Sequence, residues 1–162
     1  MAEQLSGKGA ARQSRAKWAH DWHPYEDYKT VHAEHLHRLT DTGQVLRDRL
    51  SFREARAGKE LRSVNIRGRI ECASNVLVMV DKWLDVRRGR RGNYEVRGTS
   101  YSYHAWIRGR GTLVRYDTAH GFQGLHRHLI DPETHVETRD EIALDDLPTL
   151  ADFILEALDL AG

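Results

Sequence analysis

Between Arg62 and Ile130 the apolar residues of this chain recur largely at alternate positions, which excludes an all-helical fold for its middle. Val64, Ile66, Ile70 and Cys72 alternate with Asn65, Arg67, Arg69 and Glu71, so 62–72 reads as a half-buried strand. Ser74-Asn75 supplies a turn. A second strand, Val76–Val86, starts apolar on both sides, and 87–93 (RRGRRGN) form an arginine-rich loop. A third strand spans Tyr94–Ile107 and bends near Gly98. Gly109-Arg110 makes a tight connection to a fourth, Thr112–Asp117. Leu125–Ile130 is a short fifth, ended by Asp131-Pro132.

The flanks follow another period. Residues 1–17 are small, polar and basic and read as a flexible tail. In 18–28, Trp and Tyr rings are expected to pack onto neighbouring structure. Tyr28, Val31, His35, Leu36 and Leu39 recur at three- and four-residue steps, which predicts a helix over 26–39. Leu46 and Leu50 place a second helix over 44–57, stopped by Gly58. His32, His35 and His37 read as solvated helix residues. At the other end Leu150, Phe153, Ile154, Ala157 and Leu158 form a helical stripe. Asp145 or Asp146 is its expected cap, with Pro148 in its first turn. The fold class is therefore α+β: N-terminal helices, an antiparallel β-meander of about five strands, and a C-terminal helix on one sheet face. A helical extension over 18–61 joins 62–162 in a single globular domain.

Charge is distributed unevenly. Residues 62–127 carry 13 Lys/Arg against 5 Asp/Glu, and 131–162 carry 1 against 10. A basic middle suits a polyanion such as RNA, or neutralisation by the acidic end. The single cysteine, Cys72, fits a reducing compartment. No apolar run approaches a membrane span and no secretory signal is visible, so the expected location is the cytoplasm, without membrane contact. A homo-oligomer stays open.

Turning the third-to-fourth hairpin on Gly109-Arg110 makes paired positions sum to 219. Tyr103 then faces Tyr116, Ala105 faces Val114 and Ile107 faces Thr112, all on the core side. The other side pairs Ser102 with Asp117, His104 with Arg115 and Trp106 with Leu113. His126 and His128 share a face on the fifth strand, roughly 6–7 Å apart, and His120 lies in the loop before it. Histidines near neutrality can move protons. An arginine can clamp phosphate, and an aspartate can orient a histidine. Together they suit attack of a ribose 2′-hydroxyl on its phosphate, with no metal or other cofactor. Alternatively His126 and His128 could share a metal with Asp117, His120 or Glu133. Arg87, Arg88, Arg90 and Arg91, with Arg108 and Arg110, could hold a nucleic-acid backbone.

The runs Tyr101-Ser102-Tyr103-His104, Leu113 to His120, and His126-Arg127-His128 resemble the TumE-type toxins. The resemblance covers residues from about 63 to 160, is specific mainly over 101–128, and leaves 1–60 as an added segment. It implies the toxin of a type II toxin–antitoxin module, with a small DNA-binding antitoxin as partner. Arg115, Tyr116, Asp117, His120, His126 and His128 carry over one by one. The leading expectation is a metal-independent ribonuclease. In it His126 or His128 exchanges a proton opposite His104 or His120, Arg115 clamps phosphate and Asp117 orients. The rival expectation is a non-catalytic module binding nucleic acid or protein.

Overall fold

A computed structural model describes residues 21–118, 124–143 and 146–162. The tail over 1–17, Trp18, His120 and Asp145 lie outside them. β1 (His23–Pro24) leads into α1 (Tyr25–Asp41). Seven strands follow: β2 (Val45–Ala57), β3 (Glu60–Cys72), β4 (Val76–Arg88), β5 (Tyr94–Ile107), β6 (Gly111–Asp117), β7 (Leu125–Ile130) and β8 (Glu137–Ile142). α2 (Leu150–Ala161) closes the chain. β2 to β8 lie side by side in chain order, each antiparallel to the next, and β1 pairs with β5.

The α+β class and the C-terminal helix stand, but the strand count exceeds five. The helix expected over 44–57 is the strand β2. Leu46 and Leu50 are four apart, a spacing that both periods allow. Phe52 decides between them. Two residues from Leu50, it would sit on the far side of a helix, whereas in a strand it joins Leu50 against the core. β8 was not foreseen because ETRDEI has a single apolar residue and no alternation of apolar with polar residues to read. The expected cap of α2 is also corrected. Thr149 holds that position, and its hydroxyl accepts from the Asp152 amide at 3.2 Å. Pro148 precedes the cap rather than entering the first turn.

One face of the sheet is the core. Val64, Ile66 and Ile70 of β3, Val78, Val80 and Leu84 of β4, and Tyr101, Tyr103 and Ala105 of β5 are all buried. Phe153 of α2 meets the rings of Tyr103 and Tyr116 at 5.4 and 5.7 Å. Tyr25 and Tyr28 of α1 are buried as well, and Trp22 stacks on Arg87 and Arg97. The bend near Gly98 is present: pairing with β4 shifts there, from Trp83↔Ser100 to Leu84↔Gly98. A Cβ on Gly98 would fall 2.0 Å from the Tyr101 hydroxyl oxygen, so only glycine fits.

Arg127 points to this helical side. It reaches Glu156 of α2, and its Nε donates to the Tyr116 hydroxyl at 2.9 Å. That hydroxyl donates to Glu156 at 2.8 Å. Glu156→Ala would leave a three-quarters-buried guanidinium without its carboxylate. The expected loss is about 2 kcal/mol of unfolding free energy in urea titration. A change below about 0.5 kcal/mol, the level of an ordinary surface substitution, would contradict it.

Candidate active site

Both helices pack on the first face of the sheet, so among the described residues no helix covers the second. Four pairs of the expected β5–β6 register are present: Ser102↔Asp117, Tyr103↔Tyr116, His104↔Arg115 and Ala105↔Val114. The last two are not. A bulge after Ala105 sets Trp106 opposite Thr112 and Ile107 opposite Gly111. Leu113 thereby turns into the core and Thr112 turns out to the open face. Thr112 Oγ1 lies 3.0 Å from His104 Nε2, a partner that the simple pairing rule hid.

β7 then adds His128 opposite Arg115 and His126 opposite Asp117. β8 adds Arg139 opposite His128 and Glu141 opposite His126. His104, Arg115, His128 and Arg139 therefore form one row across four strands, with Asp117 and His126 in the row beside it. The two imidazole centroids of β7 are 6.3 Å apart, as the strand period requires.

Burial separates the members. The Arg115 side chain is 40% exposed. His126 and His128 are 3% and 8% exposed, beneath the side chains of β8. His128 Nδ1 contacts Glu137 Oε1, so the carboxylate fixes a proton on that nitrogen. A protonated Nδ1 cannot accept from Arg115 Nη2, 3.5 Å away. Its Nε2 faces Asp117 Oδ2 at 3.7 Å. His126 Nε2 instead accepts from Arg139 Nη2 at 2.9 Å. Arg115 Nε is 3.0 Å from Asp117 Oδ2 but is not aligned with it as a donor. Burial first, and the Arg115 cation second, push the His104 pKa below its ordinary 6.5.

Glu137, Arg139 and Glu141 are contacts that sequence reading missed. Their one signal was charge at alternate positions after the Asp131-Pro132 turn. Tyr116 belongs to the helical side, with Arg127 and Glu156. The six other arginines do not gather. The 87–91 loop and the Arg108–Arg110 turn cap opposite ends of β5, on the order of 40 Å apart by strand rise. Arg87 and Arg88 are already paired, with Glu95 and Glu60 at 2.9 and 2.6 Å. Glu133 lies near Arg110, at 3.8 Å, in the turn before β8. Among the described residues no three His, Cys, Asp or Glu side chains converge as metal ligands. In the N-terminal helix, His32 is not simply solvated: its ring meets Phe52 of β2 at 5.1 Å.

The profile of the family described as toxin TumE matches residues 35–159. The chain belongs to the TumE toxin family. The match starts inside α1 and includes β2, so the family region begins well before residue 63, and 35–60 are not an added segment. No curated protein and no solved structure gives a significant match. Within the TumE match lies every described site residue, from His104 on β5 to Glu141 on β8. Among the described residues no helix is long and apolar enough to cross a membrane.

Proposed function

We propose that this TumE-family chain is a ribonuclease toxin that cleaves RNA without a metal and is held in check by a small DNA-binding antitoxin. The observation that carries the reading is the partly exposed Arg115 side chain between two imidazoles, His104 and His128, in one cross-strand row. His104 takes the proton of the ribose 2′-hydroxyl, a role that suits an imidazole held neutral by burial and a nearby cation. The 2′-oxygen attacks the adjacent phosphorus, and Arg115 stabilises the charge gathering on the non-bridging oxygens. His128 gives a proton to the departing 5′-oxygen. Glu137 and Asp117 flank its two ring nitrogens, so the doubly protonated ring has an acceptor on each side. The products are a 2′,3′-cyclic phosphate and a 5′-hydroxyl.

The test is expression with and without His104→Ala and His128→Ala. The wild type should slow growth and leave cyclic-phosphate ends, and each variant should lose both. A wild type that does neither defeats the reading. The pH profile is a second check. With the His104 pKa lowered, the acid limb of kcat/KM should turn below 6.5. An acid limb turning above that value would remove His104 as the base.

The burial of His126 and His128 favours a second reading, a binding module without catalysis. Under it the histidines brace β8, and nucleic-acid binding survives their replacement.

A further inference from the structure

The row through the candidate site continues beyond it. Register pairs His104 with Met79 of β4, Met79 with Arg69 of β3, and Arg69 with Arg49 of β2. The full row reads Arg49, Arg69, Met79, His104, Arg115, His128, Arg139, with no carboxylate in it. Both flanking rows contain acids: Asp81 and Asp117 on one side, Glu71 on the other. A helix-covered sheet face would bury such a row, but here Arg49, Arg69 and Met79 are exposed. Arg69 Nη2 donates to Glu71 Oε1 at 3.4 Å, and Arg49 has no carboxylate partner among the described residues. Beside Met79 and His104 lies Trp106, whose ring meets the His104 ring at 5.3 Å. Arg49 stands four strand spacings from Arg115, about 19 Å.

We propose that this row is a binding track for single-stranded RNA running across the strands. Arg49 and Arg69 hold backbone phosphates on one side of the site, and a base lies on Met79 and Trp106. The chemistry selects a single strand. A polyanion needs a line of cations with no carboxylate standing in it, and an apolar platform is useful only to a base that is already unstacked. A duplex offers neither its base faces nor a fit to a shallow sheet. The proposal rests on the reading that RNA is what the His104–Arg115 face engages.

The probe is a fluorescent single-stranded RNA of about twelve nucleotides, within the span such surfaces cover, carrying 2′-O-methyl groups so that it cannot be cleaved. Binding to the full chain is followed by anisotropy over a range of salt. The double variant Arg49→Ala/Arg69→Ala should bind roughly tenfold more weakly. Its slope of log affinity on log salt should fall by about 1.4, two phosphate contacts at about 0.7 each. Arg90→Ala/Arg91→Ala removes the same charge from the far end of β5 and should bind like the wild type. A duplex of the same sequence should bind more weakly than the single strand.

The track is overturned if the double variant with an unchanged melting curve binds like the wild type, or if both double variants lose affinity equally. Equal affinity for the duplex also overturns it, as does a variant that keeps RNA and loses a partner protein. A dinucleoside phosphate, too short to reach Arg69, reads the catalytic site alone. If it is cleaved while the arginines prove irrelevant to binding, the track fails and the ribonuclease reading stands. If RNA binds through Arg49 and Arg69 but neither the dinucleoside phosphate nor an unmethylated RNA of the same sequence is cleaved, the ribonuclease reading fails and the track stands.

Discussion

Arg115→Ala should lower RNA cleavage about 10²- to 10³-fold, the usual loss when a donor to developing negative charge is removed. Three features place the effect on this residue. Arg115 sits between His104 and His128 in the cross-strand register, so a phosphate on its guanidinium is flanked by both imidazoles. Its side chain is 40% exposed, whereas the β7 histidines are covered. Its Nε is buried without an aligned acceptor. The loss should fall mainly on kcat, because negative charge on the non-bridging oxygens grows toward the transition state. Arg115→Lys keeps a charge but not the planar fork, and should recover only part of the rate. The alanine variant should also move the acid limb upward, since the Arg115 cation is one cause of the lowered His104 pKa. Initial rates on a fluorogenic RNA measure both effects. A rate for Arg115→Ala close to that of the wild type would contradict the role.

The sheet was legible where one side of a strand is apolar and the other is not. β5 and β7 were placed with their observed ends, and four β5–β6 pairs followed from one turn. Legibility failed where the alternation carries no contrast. β8 is polar on both sides because it is an exposed edge, yet it supplies Glu137 and Arg139 to the two histidines. β2 was misread because leucines four apart satisfy both periods. The bulge that delivers Thr112 to His104 is a local surplus of one residue, and sequence spacing cannot reveal it. The face shared by His104, Arg115 and Asp117 was readable from parity alone. The covering of His126 and His128 was not, because it depends on the unseen strand.

Parity did hold one further signal, on the core side. Val76, Val78, Val80, Leu84 and Val86 line the helical face of β4, and Lys82 falls among them. The lysine is buried between the rings of Tyr28 and Tyr101, at 5.1 and 5.0 Å from their centroids. No carboxylate among the described residues pairs with it. Burial pushes its pKa from 10.5 down to about 7. The folded chain therefore binds fewer protons than the unfolded chain between pH 7 and 10.5, so stability rises with pH across that window. The expected gain from pH 7 to pH 9 is on the order of 2 kcal/mol. The useful range ends near pH 9, because the buried Cys72 thiol, raised to about 11, acts in the opposite direction above that point. Lys82→Met keeps the length of the side chain and removes the charge. It should raise the unfolding free energy at pH 7 by about 1–4 kcal/mol and abolish most of the rise toward pH 9. His32, pushed down to about 3 by burial and by Lys82, leaves a separate loss of stability as pH falls below 6.5. That acid limb should persist in the variant. Urea unfolding at pH 5, 7, 8 and 9 separates the two groups. Parallel profiles for wild type and Lys82→Met would show that Lys82 is charged in the fold and would overturn the assignment.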